Sequence, residues 1–221
     1  MPTRVKICGL RTEAALEAAL EAGADFVGFV LYPKSPRNVS VAEAAALVRH
    51  ARTRGPARTV TLLVDPDDTL VDRVATEIQP DLIQLHGHET LARVEAIRSR
   101  SGLPVLKAVA VGAASDVAHA FGYLAPGRGA DILMFDAKPP ADPAALPGGN
   151  GLAFDWHILE GARARAPFAL AGGLTPENVA AAIELTGAAI VDVSSGVESR
   201  PGEKDPELIR RFLQAAKAAR A

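Results

Sequence analysis

The feature that most constrains the fold is the regular alternation of short apolar runs with amphipathic stretches along all 221 residues. Eight runs have strand length, at residues 4–8, 26–31, 59–64, 82–85, 105–109, 132–136, 168–171 and 190–193. The stretches between and after them have helical spacing, at residues 12–22, 41–52, 69–78, 89–99, 115–124, 155–165, 176–185 and 206–219. The pattern therefore predicts a β-then-α unit that is repeated eight times.

The strand-like runs are mostly apolar at every position, which is what burial on both faces of a parallel sheet requires. Eight units in 221 residues fit a single α/β domain over residues 1–221, a (β/α)8 or TIM barrel with short loops. A doubly wound open sheet is the alternative, but it usually has a glycine-rich dinucleotide loop after its first strand. Here that loop reads Cys8-Gly9-Leu10-Arg11 and lacks the pattern.

Local signals indicate where helices begin and where a long loop lies. Thr12 and Ser40 are predicted to cap helices, and Thr175 is predicted to start a helix with Pro176 at its first position. The Pro- and Gly-rich segment at residues 139–151 is predicted to be a mobile loop after the sixth strand, because the β/α pattern continues beyond it.

Composition excludes several classes of function. The 24 Lys and Arg nearly balance the 26 Asp and Glu, so no nucleic-acid surface is expected. A single cysteine cannot form an intramolecular disulfide, and no apolar run suits a signal peptide or a membrane span, so we expect a cytoplasmic protein without membrane contact. The five His and one Cys have no metal-binding spacing, so no metal is expected.

Ligands of such barrels bind at the carboxyl ends of the strands, so the residues that end the runs are candidates for the site. Cys8 ends the first run, and Asp136 ends the sixth. A thiol at this rim can act as a base or nucleophile, although a lone cysteine is often only a small core residue. Asp136 can act as a general acid or base, or it can simply close the loop. Together they are expected to flank a substrate.

Two loops after the last two strands are candidates for binding phosphate. The first contains Gly172 and Gly173, and the second contains Ser194, Ser195 and Gly196. Loops in these positions commonly bind phosphate through backbone N–H groups, and serine adds a hydroxyl donor. A Gly-Gly pair alone is also typical of any tight turn, so the prediction depends on two such loops on consecutive strands.

Three more residues are predicted to line the pocket. Arg37 follows two prolines that stiffen its loop, where it could pair with a carboxylate through two hydrogen bonds or remain a solvated cation. Gln84 and His86 alternate with apolar residues, so they are expected at the barrel mouth. His86 could equally hydrogen-bond to another residue of the site.

The sequence resembles the phosphoribosylanthranilate isomerase family of small TIM barrels. The motifs that carry the resemblance are Lys6-Ile7-Cys8-Gly9-Leu10, Ser35-Pro36-Arg37, Leu82-Ile83-Gln84-Leu85-His86-Gly87, Phe135-Asp136, Phe154-Asp155-Trp156, Ala171-Gly172-Gly173-Leu174 and Val191-Asp192-Val193-Ser194-Ser195-Gly196-Val197-Glu198. They span nearly the whole chain. Other phosphate-binding barrels share the Gly-Gly loop but not the first motif together with the last.

The resemblance implies an Amadori rearrangement of N-(5-phosphoribosyl)anthranilate in tryptophan biosynthesis, without a cofactor. It implies that Asp136 is the general acid that opens the ribose ring and that Cys8 is the base that removes the C2 proton. Lys6 or a cationic intermediate could favour the required thiolate. Arg37 would contact the anthranilate moiety, and the glycine and serine loops would bind the phosphate. The expected partner is a small phosphoribosyl molecule, and we expect a monomer, with a homodimer as the alternative.

Other functions remain open at this point. Indole-glycerol-phosphate synthases normally need a set of catalytic lysines, and ribulose-phosphate epimerases need metal ligands at the strand ends. A non-catalytic phosphoribosyl-binding barrel would need the phosphate loops but neither Cys8 nor Asp136.

Overall fold

Eight parallel strands close into a barrel in the computed structural model, which describes residues 3–125, 128–138, 146, 148, 149, 151 and 153–219. The strands are β1 (Arg4–Cys8), β2 (Phe26–Leu31), β3 (Arg58–Leu63), β4 (Leu82–Leu85), β5 (Val105–Val111), β6 (Ile132–Ala137), β7 (Phe168–Leu170) and β8 (Ile190–Val193). Each strand pairs in parallel with the next, and β8 pairs with β1. The predicted (β/α)8 barrel is therefore confirmed.

Helices follow the strands around the outside. They are α1 (Glu13–Glu21), α2 (Val41–Arg54), α3 (Asp68–Arg73), α4 (Leu91–Ser101), α5 (Ala114–Ala120), α6 (Ala162–Arg165), α7 (Val179–Thr186) and α8 (Pro206–Ala218). The Thr12 and Ser40 side chains accept hydrogen bonds from the N–H groups of Ala15 and Glu43, so both predicted caps are confirmed. No helix in the described ranges is long and apolar enough to cross a membrane.

The predicted helix start at Thr175 is wrong. α7 begins at Val179, and Pro176 lies in a turn before it. The Asn178 side chain accepts a hydrogen bond from the N–H of Thr175 at 2.8 Å and donates one to the carbonyl of Gly173 at 2.9 Å. These bonds hold the segment against the loop after β7, so the chain makes one more turn before the helix begins.

The helix predicted from residue 89 begins later, at Leu91, because Glu89 is buried. Its carboxylate lies 2.7 Å from Lys107 Nζ and accepts the N–H groups of Asp65 and Gly87 at 2.9 and 3.0 Å. A carboxylate with these partners cannot lie on the solvent-facing first turn of a helix. It instead joins the loops that follow β3 and β4.

Two further strands follow β8 that the sequence pattern did not indicate. β9 (Glu198–Arg200) pairs antiparallel with β10 (Glu203–Lys204) outside the barrel. The hairpin returns Lys204 to the side of Glu198, at 2.6 Å between Nζ and Oε1. The loop predicted at residues 139–151 lies mostly outside the described residues, so its mobility stays a prediction.

Alternate strand residues face the barrel interior. Apolar side chains fill this interior, among them Phe26, Val60, Leu82, Leu106, Met134 and Ile190. A separate small group at the carboxyl ends of the strands contains Cys8, Val30 and Leu62. Because the other strand residues pack against the helices, both faces of the strands are buried, and a ligand can enter only where the strands end.

Candidate active site

A pocket opens at the carboxyl ends of the barrel strands. All but one of the residues predicted for the site line it: Cys8, Arg37, His86, Asp136, Gly172, Gly173, Ser194, Ser195 and Gly196. Val30, Tyr32, Leu62 and Leu174 add apolar wall. Gln84 is fully buried, hydrogen-bonded to His86, and does not line the pocket. An apolar pocket with a few converging polar groups is the common form of a small-molecule site.

The alternation of β1 places Lys6 and Cys8 on the same inward side. Lys6 is 1% exposed, and its Nζ donates a hydrogen bond to Asp192 Oδ1 on β8 at 2.9 Å. Gly28 pairs with Cys8 in the sheet, and a Cβ at residue 28 would lie 3.0 Å from Lys6 Nζ and 3.2 Å from Cys8 Sγ. The glycine therefore provides the space in which the ammonium and the thiol lie.

Lys6 was expected to favour a thiolate at Cys8, but the pKa of the thiol is raised. Burial raises the pKa of the thiol, attraction to Lys6 lowers it, and repulsion by Asp192 raises it again, so the net shift is upward from 9.0. Burial lowers the pKa of Lys6, but Asp192 and Cys8 together raise it above 10.5. Because Asp192 already neutralises the ammonium, Lys6 alone does not produce a thiolate. Lys6 and a cationic intermediate were the two groups predicted to favour a thiolate, and only the cationic intermediate is left.

Asp136 is the residue before the last in β6, and its carboxylate lies at the pocket. Oδ1 accepts a hydrogen bond from the N–H of Ala137 at 2.8 Å, and Oδ2 lies 3.0 Å from His86 Nε2 on the loop after β4. Gly172 has φ +87°, and a Cβ there would lie 2.6 Å from Ala137 N and 3.0 Å from Asp136 Oδ1. The orientation of the carboxylate therefore depends on close packing at the ends of β4, β6 and β7.

Gln84 determines which nitrogen of His86 carries the proton. Its Nε2 donates to His86 Nδ1 at 3.1 Å and lies 3.5 Å from the sulfur of Met134. The neutral ring then carries its hydrogen on Nε2 and donates it to Asp136. The amide oxygen of Gln84 has no hydrogen-bond partner among the described residues. If the amide turned over, this oxygen would accept Nδ1–H, and Nε2 would accept a hydrogen bond from a protonated Asp136.

Arg37 is buried against a carboxylate of the protein. Its Nε and Nη2 donate to the two carboxylate oxygens of Glu198, each at 2.8 Å. Lys204 is the second cation on Glu198, and the Arg37, Glu198 and Lys204 side chains are 6%, 4% and 1% exposed. The bidentate pairing predicted for Arg37 is therefore present within the protein itself. The alternative prediction of a solvated loop cation is wrong.

The loop after β8 is joined to β1 and to the β9–β10 hairpin. Ser194 Oγ donates a hydrogen bond to the carbonyl of Cys8 at 3.2 Å, and Lys204 Nζ donates to the carbonyl of Ser194 at 3.0 Å. These bonds fix the loop beside the thiol. A ligand held by this loop would therefore be placed close to Cys8.

Asp192, Glu198 and Lys204 were not predicted as parts of the site. A signal existed for Asp192, because a charged residue on the inward face of a strand two positions before Ser194 needs a buried partner. Glu198 and Lys204 follow the last barrel strand without periodicity. No local signal could have indicated that each would be buried against a distant cation or loop.

The polar groups at the pocket are suited to proton transfer and to binding anions. They include a thiol, an imidazole, two carboxyls and two cationic groups, on Cys8, His86, Asp136, Asp192, Arg37 and Lys138. Within the described part of the chain, no group of three or more His, Cys, Asp or Glu side chains could hold a metal ion.

The chain matches a known protein family over nearly its whole length. The family model described as N-(5'phosphoribosyl)anthranilate (PRA) isomerase matches residues 5–215. A protein of Paramagnetospirillum magneticum named N-(5'-phosphoribosyl)anthranilate isomerase is 55% identical over 220 residues, covering 100% of both chains.

Solved structures of similar proteins have the same fold. A structure of monomers generated from the dimeric phosphoribosylanthranilate isomerase of Thermotoga maritima has 35% identity and a TM-score of 0.81, covering 97% of this chain and 98% of that chain. A phosphoribosyl anthranilate isomerase in complex with reduced 1-(o-carboxyphenylamino)-1-deoxyribulose 5-phosphate has 34% identity and a TM-score of 0.81, with 97% and 98% coverage.

Proposed function

The chain belongs to the N-(5'-phosphoribosyl)anthranilate isomerase family, and from this premise we propose that Cys8 and Asp136 are its catalytic base and acid. The enzyme catalyses the Amadori rearrangement of N-(5'-phosphoribosyl)anthranilate to 1-(2-carboxyphenylamino)-1-deoxyribulose 5-phosphate in tryptophan biosynthesis. The observation that carries the roles is that the Cys8 thiol and the Asp136 carboxyl line one pocket together with both predicted phosphate loops.

In the first step, Asp136 donates a proton to the ring oxygen of the ribosyl group. The bond from this oxygen to C1 breaks while the nitrogen lone pair forms a double bond to C1, which gives an iminium ion. His86, 3.0 Å from the carboxyl, holds the acid in position through this transfer. A positioned acid of this kind accelerates a reaction by roughly 10²- to 10⁴-fold.

In the second step, Cys8 removes the proton from C2. The positive iminium nitrogen adds to the attraction of Lys6, and this favours transfer of the thiol proton to water, which Asp192 opposes in the free protein. The thiolate that results is the base. The electron pair of the C2–H bond forms a double bond between C1 and C2 and neutralises the nitrogen. The resulting enolamine becomes the ketone when its hydroxyl loses a proton and C1 gains one.

Substrate binding is assigned to the remaining residues of the pocket wall. We assign the phosphate to the loops after β7 and β8, which contain Gly172, Gly173, Ser194, Ser195 and Gly196. We assign the anthranilate moiety to Arg37. Since the net charge of the chain is -2, an anionic substrate must be attracted by a local site rather than by the whole protein.

The variants Cys8→Ala and Asp136→Asn test the two roles. Each is expected to fold normally and to lose roughly 10²- to 10⁴-fold in kcat, because each removes one proton-transfer group. Turnover of freshly made substrate is followed by the loss of its anthranilate fluorescence, and circular dichroism checks the fold. Asp72→Asn, at an exposed carboxylate paired with Arg100, is the control. Near-normal turnover of either variant would remove the role assigned to that residue.

We further propose that the enzyme is a cytoplasmic monomer. Every residue assigned to the site comes from a single chain, so a second copy is not needed to complete it. Light scattering after size exclusion should give the mass of one chain, 23.0 kDa. Twice that mass would replace the monomer with a homodimer, and recovery of the activity outside the cytoplasmic fraction would contradict the location.

A further inference from the structure

Arg37 has only one unoccupied edge. Its Nε and Nη2 donate to Glu198, and Nη2 also donates to the carbonyl of Gly149 at 3.3 Å. Nη1 makes no hydrogen bond within the ranges the structure describes, although Arg37 lines the pocket. The N–H groups that remain for a ligand are therefore those of Nη1.

The backbone of Gly149 lies next to Nη1 of Arg37, and because the residue is a glycine it places no side chain there. A Cβ at residue 149 would lie 2.6 Å from Nη1 of Arg37, which is closer than a side chain can approach. The residue also has φ +75°, a conformation that favours glycine. The backbone can therefore pass over the guanidinium while the Nη1 hydrogens stay open to the pocket.

Glu198 is itself fixed in place by a second cation. Lys204 Nζ lies 2.6 Å from Glu198 Oε1 and also donates to the carbonyl of Ser194 at 3.0 Å. The cluster of Arg37, Glu198 and Lys204 thus contains two cationic side chains and one carboxylate, all nearly buried. Since buried charges require partners, the cation that faces the pocket favours a bound anion.

We propose that Glu198 is a positioning residue that determines how Arg37 binds the carboxylate of the anthranilate moiety. The proposal rests on the contact between Arg37 and that moiety proposed above. Glu198 occupies the edge formed by Nε and Nη2, so the substrate carboxylate binds at Nη1 and at no other edge. This single binding geometry fixes the aniline ring and, through it, the position of C2 relative to Cys8.

The test compares two substrates with the full chain. One is N-(5-phosphoribosyl)anthranilate, and the other is N-(5-phosphoribosyl)aniline, which has the same reacting atoms but no carboxylate. The measured quantity is selectivity, the ratio of kcat/KM for the first substrate to kcat/KM for the second. It is determined for the wild type, Glu198→Gln and Arg37→Met. Glu203→Gln on the same hairpin, at an exposed carboxylate, is the matched control.

Glu198→Gln is expected to lower selectivity about tenfold, because the released guanidinium can bind the carboxylate by either edge and misplace the reacting carbon. The kinetics of the aniline substrate should stay within about twofold of the wild type. Equal losses on both substrates would show a merely structural role and overturn the proposal. Unchanged or increased selectivity would overturn it as well, since an increase would mean that Glu198 only competes with the substrate for Arg37.

One further variant, Gly149→Ala, and the Arg37→Met variant give the test a clear result whatever Glu198→Gln does. Gly149→Ala keeps all three side chains of the ion cluster but places a methyl group 2.6 Å from the present position of Nη1, so it too should lower selectivity, even if Glu198→Gln fails to fold. Arg37→Met separates this proposal from the proposed function. Equal losses on both substrates in Arg37→Met would remove the contact between Arg37 and the anthranilate moiety. Reduced selectivity in Arg37→Met but not in Glu198→Gln or Gly149→Ala would overturn only the role of Glu198.

Discussion

At the scale of single residues, the reactivity of Cys8 is decided by one cation between two acidic groups. Lys6 can neutralise either the Asp192 carboxylate or a Cys8 thiolate, and the 2.9 Å contact assigns it to Asp192. Burial then raises the pKa of the thiol, so the free enzyme holds a neutral thiol. A base that forms only when a cationic intermediate is present avoids the side reactions of a permanent thiolate.

Alkylation of Cys8 by iodoacetamide measures this balance, because the chain contains a single cysteine. The wild-type rate should be low near neutral pH and should still be rising with pH at 9.0 instead of levelling off, since the pKa of the thiol is raised above that value. Asp192→Asn should react faster at pH 8, because Lys6 loses its other counterion and can stabilise the thiolate. The rate is followed by mass spectrometry of the intact chain. An unchanged or slower alkylation rate in Asp192→Asn would show that Asp192 does not keep Lys6 from stabilising the Cys8 thiolate.

At the scale of elements, the proposed acid depends on how closely the ends of β6 and β7 approach. Gly172 lies two residues after β7, and the Ala137 backbone and the Asp136 carboxylate fill the space where its side chain would be. A glycine is therefore required at residue 172 even without a phosphate, because a larger residue would occupy the space beside the Asp136 carboxylate. From the sequence, this glycine was predicted either to bind phosphate or to form a tight turn. Its contact with Asp136 was not predicted, because it joins two separate β/α units.

Gly172→Ala is expected to cost about 1–3 kcal/mol of unfolding free energy, because the residue is held at positive φ and the added Cβ would clash with Ala137. It should also lower kcat by displacing the Asp136 carboxylate. Urea unfolding and the fluorescence assay measure the two effects. Gly122→Ala is the control, since no described residue other than its chain neighbours has an atom within 4 Å of the position of an added Cβ. If Gly122→Ala lowered the unfolding free energy and kcat as much as Gly172→Ala, the close packing of residue 172 against Ala137 and Asp136 would not be the cause.

At the scale of the whole molecule, one cluster of charges joins three parts of the barrel. Arg37 follows β2, Glu198 and Lys204 belong to the hairpin after β8, and Lys204 reaches the Ser194 loop. Burial raises the pKa of Glu198, but Arg37 and Lys204 together lower it below 4.5. A carboxyl with a lowered pKa stabilises the folded protein above pH 4.5, and this contribution is lost as the pH falls through the lowered pKa.

Glu198→Gln should therefore be less stable than the wild type at pH 7, because it leaves Arg37 and Lys204 without their carboxylate. As the pH falls below 4.5, the wild type should lose stability more steeply, so the two curves converge. Urea midpoints from pH 7 to pH 3 measure this. Glu160→Gln, at an exposed carboxylate, should follow the wild-type curve. A constant difference between wild type and Glu198→Gln at every pH would exclude the cluster as the cause.

The sequence alone was sufficient for the barrel, and nine of the ten residues that it predicted for the site line the pocket. Apolar periodicity and the caps at Thr12 and Ser40 act within a few residues of each other, so they can be read along the chain. The predicted helix start at Thr175 was wrong because the side chain of Asn178 forms hydrogen bonds to the preceding loop. Such a competing local bond has no periodic signature, so the sequence pattern could not exclude it.

The partners of the charged residues were decided only by the tertiary structure. Lys6 and Asp192 are 186 residues apart, Arg37 and Glu198 are 161 apart, and His86 and Asp136 are 50 apart. The sequence placed Cys8 and Asp136 at strand ends because strand ends are local features. Which cation meets which carboxylate depends on closure of the barrel between β8 and β1 and on the hairpin that follows. Because burial and charge pairing arise only there, the ionisation of Cys8 and the free edge of Arg37 are properties of the folded molecule.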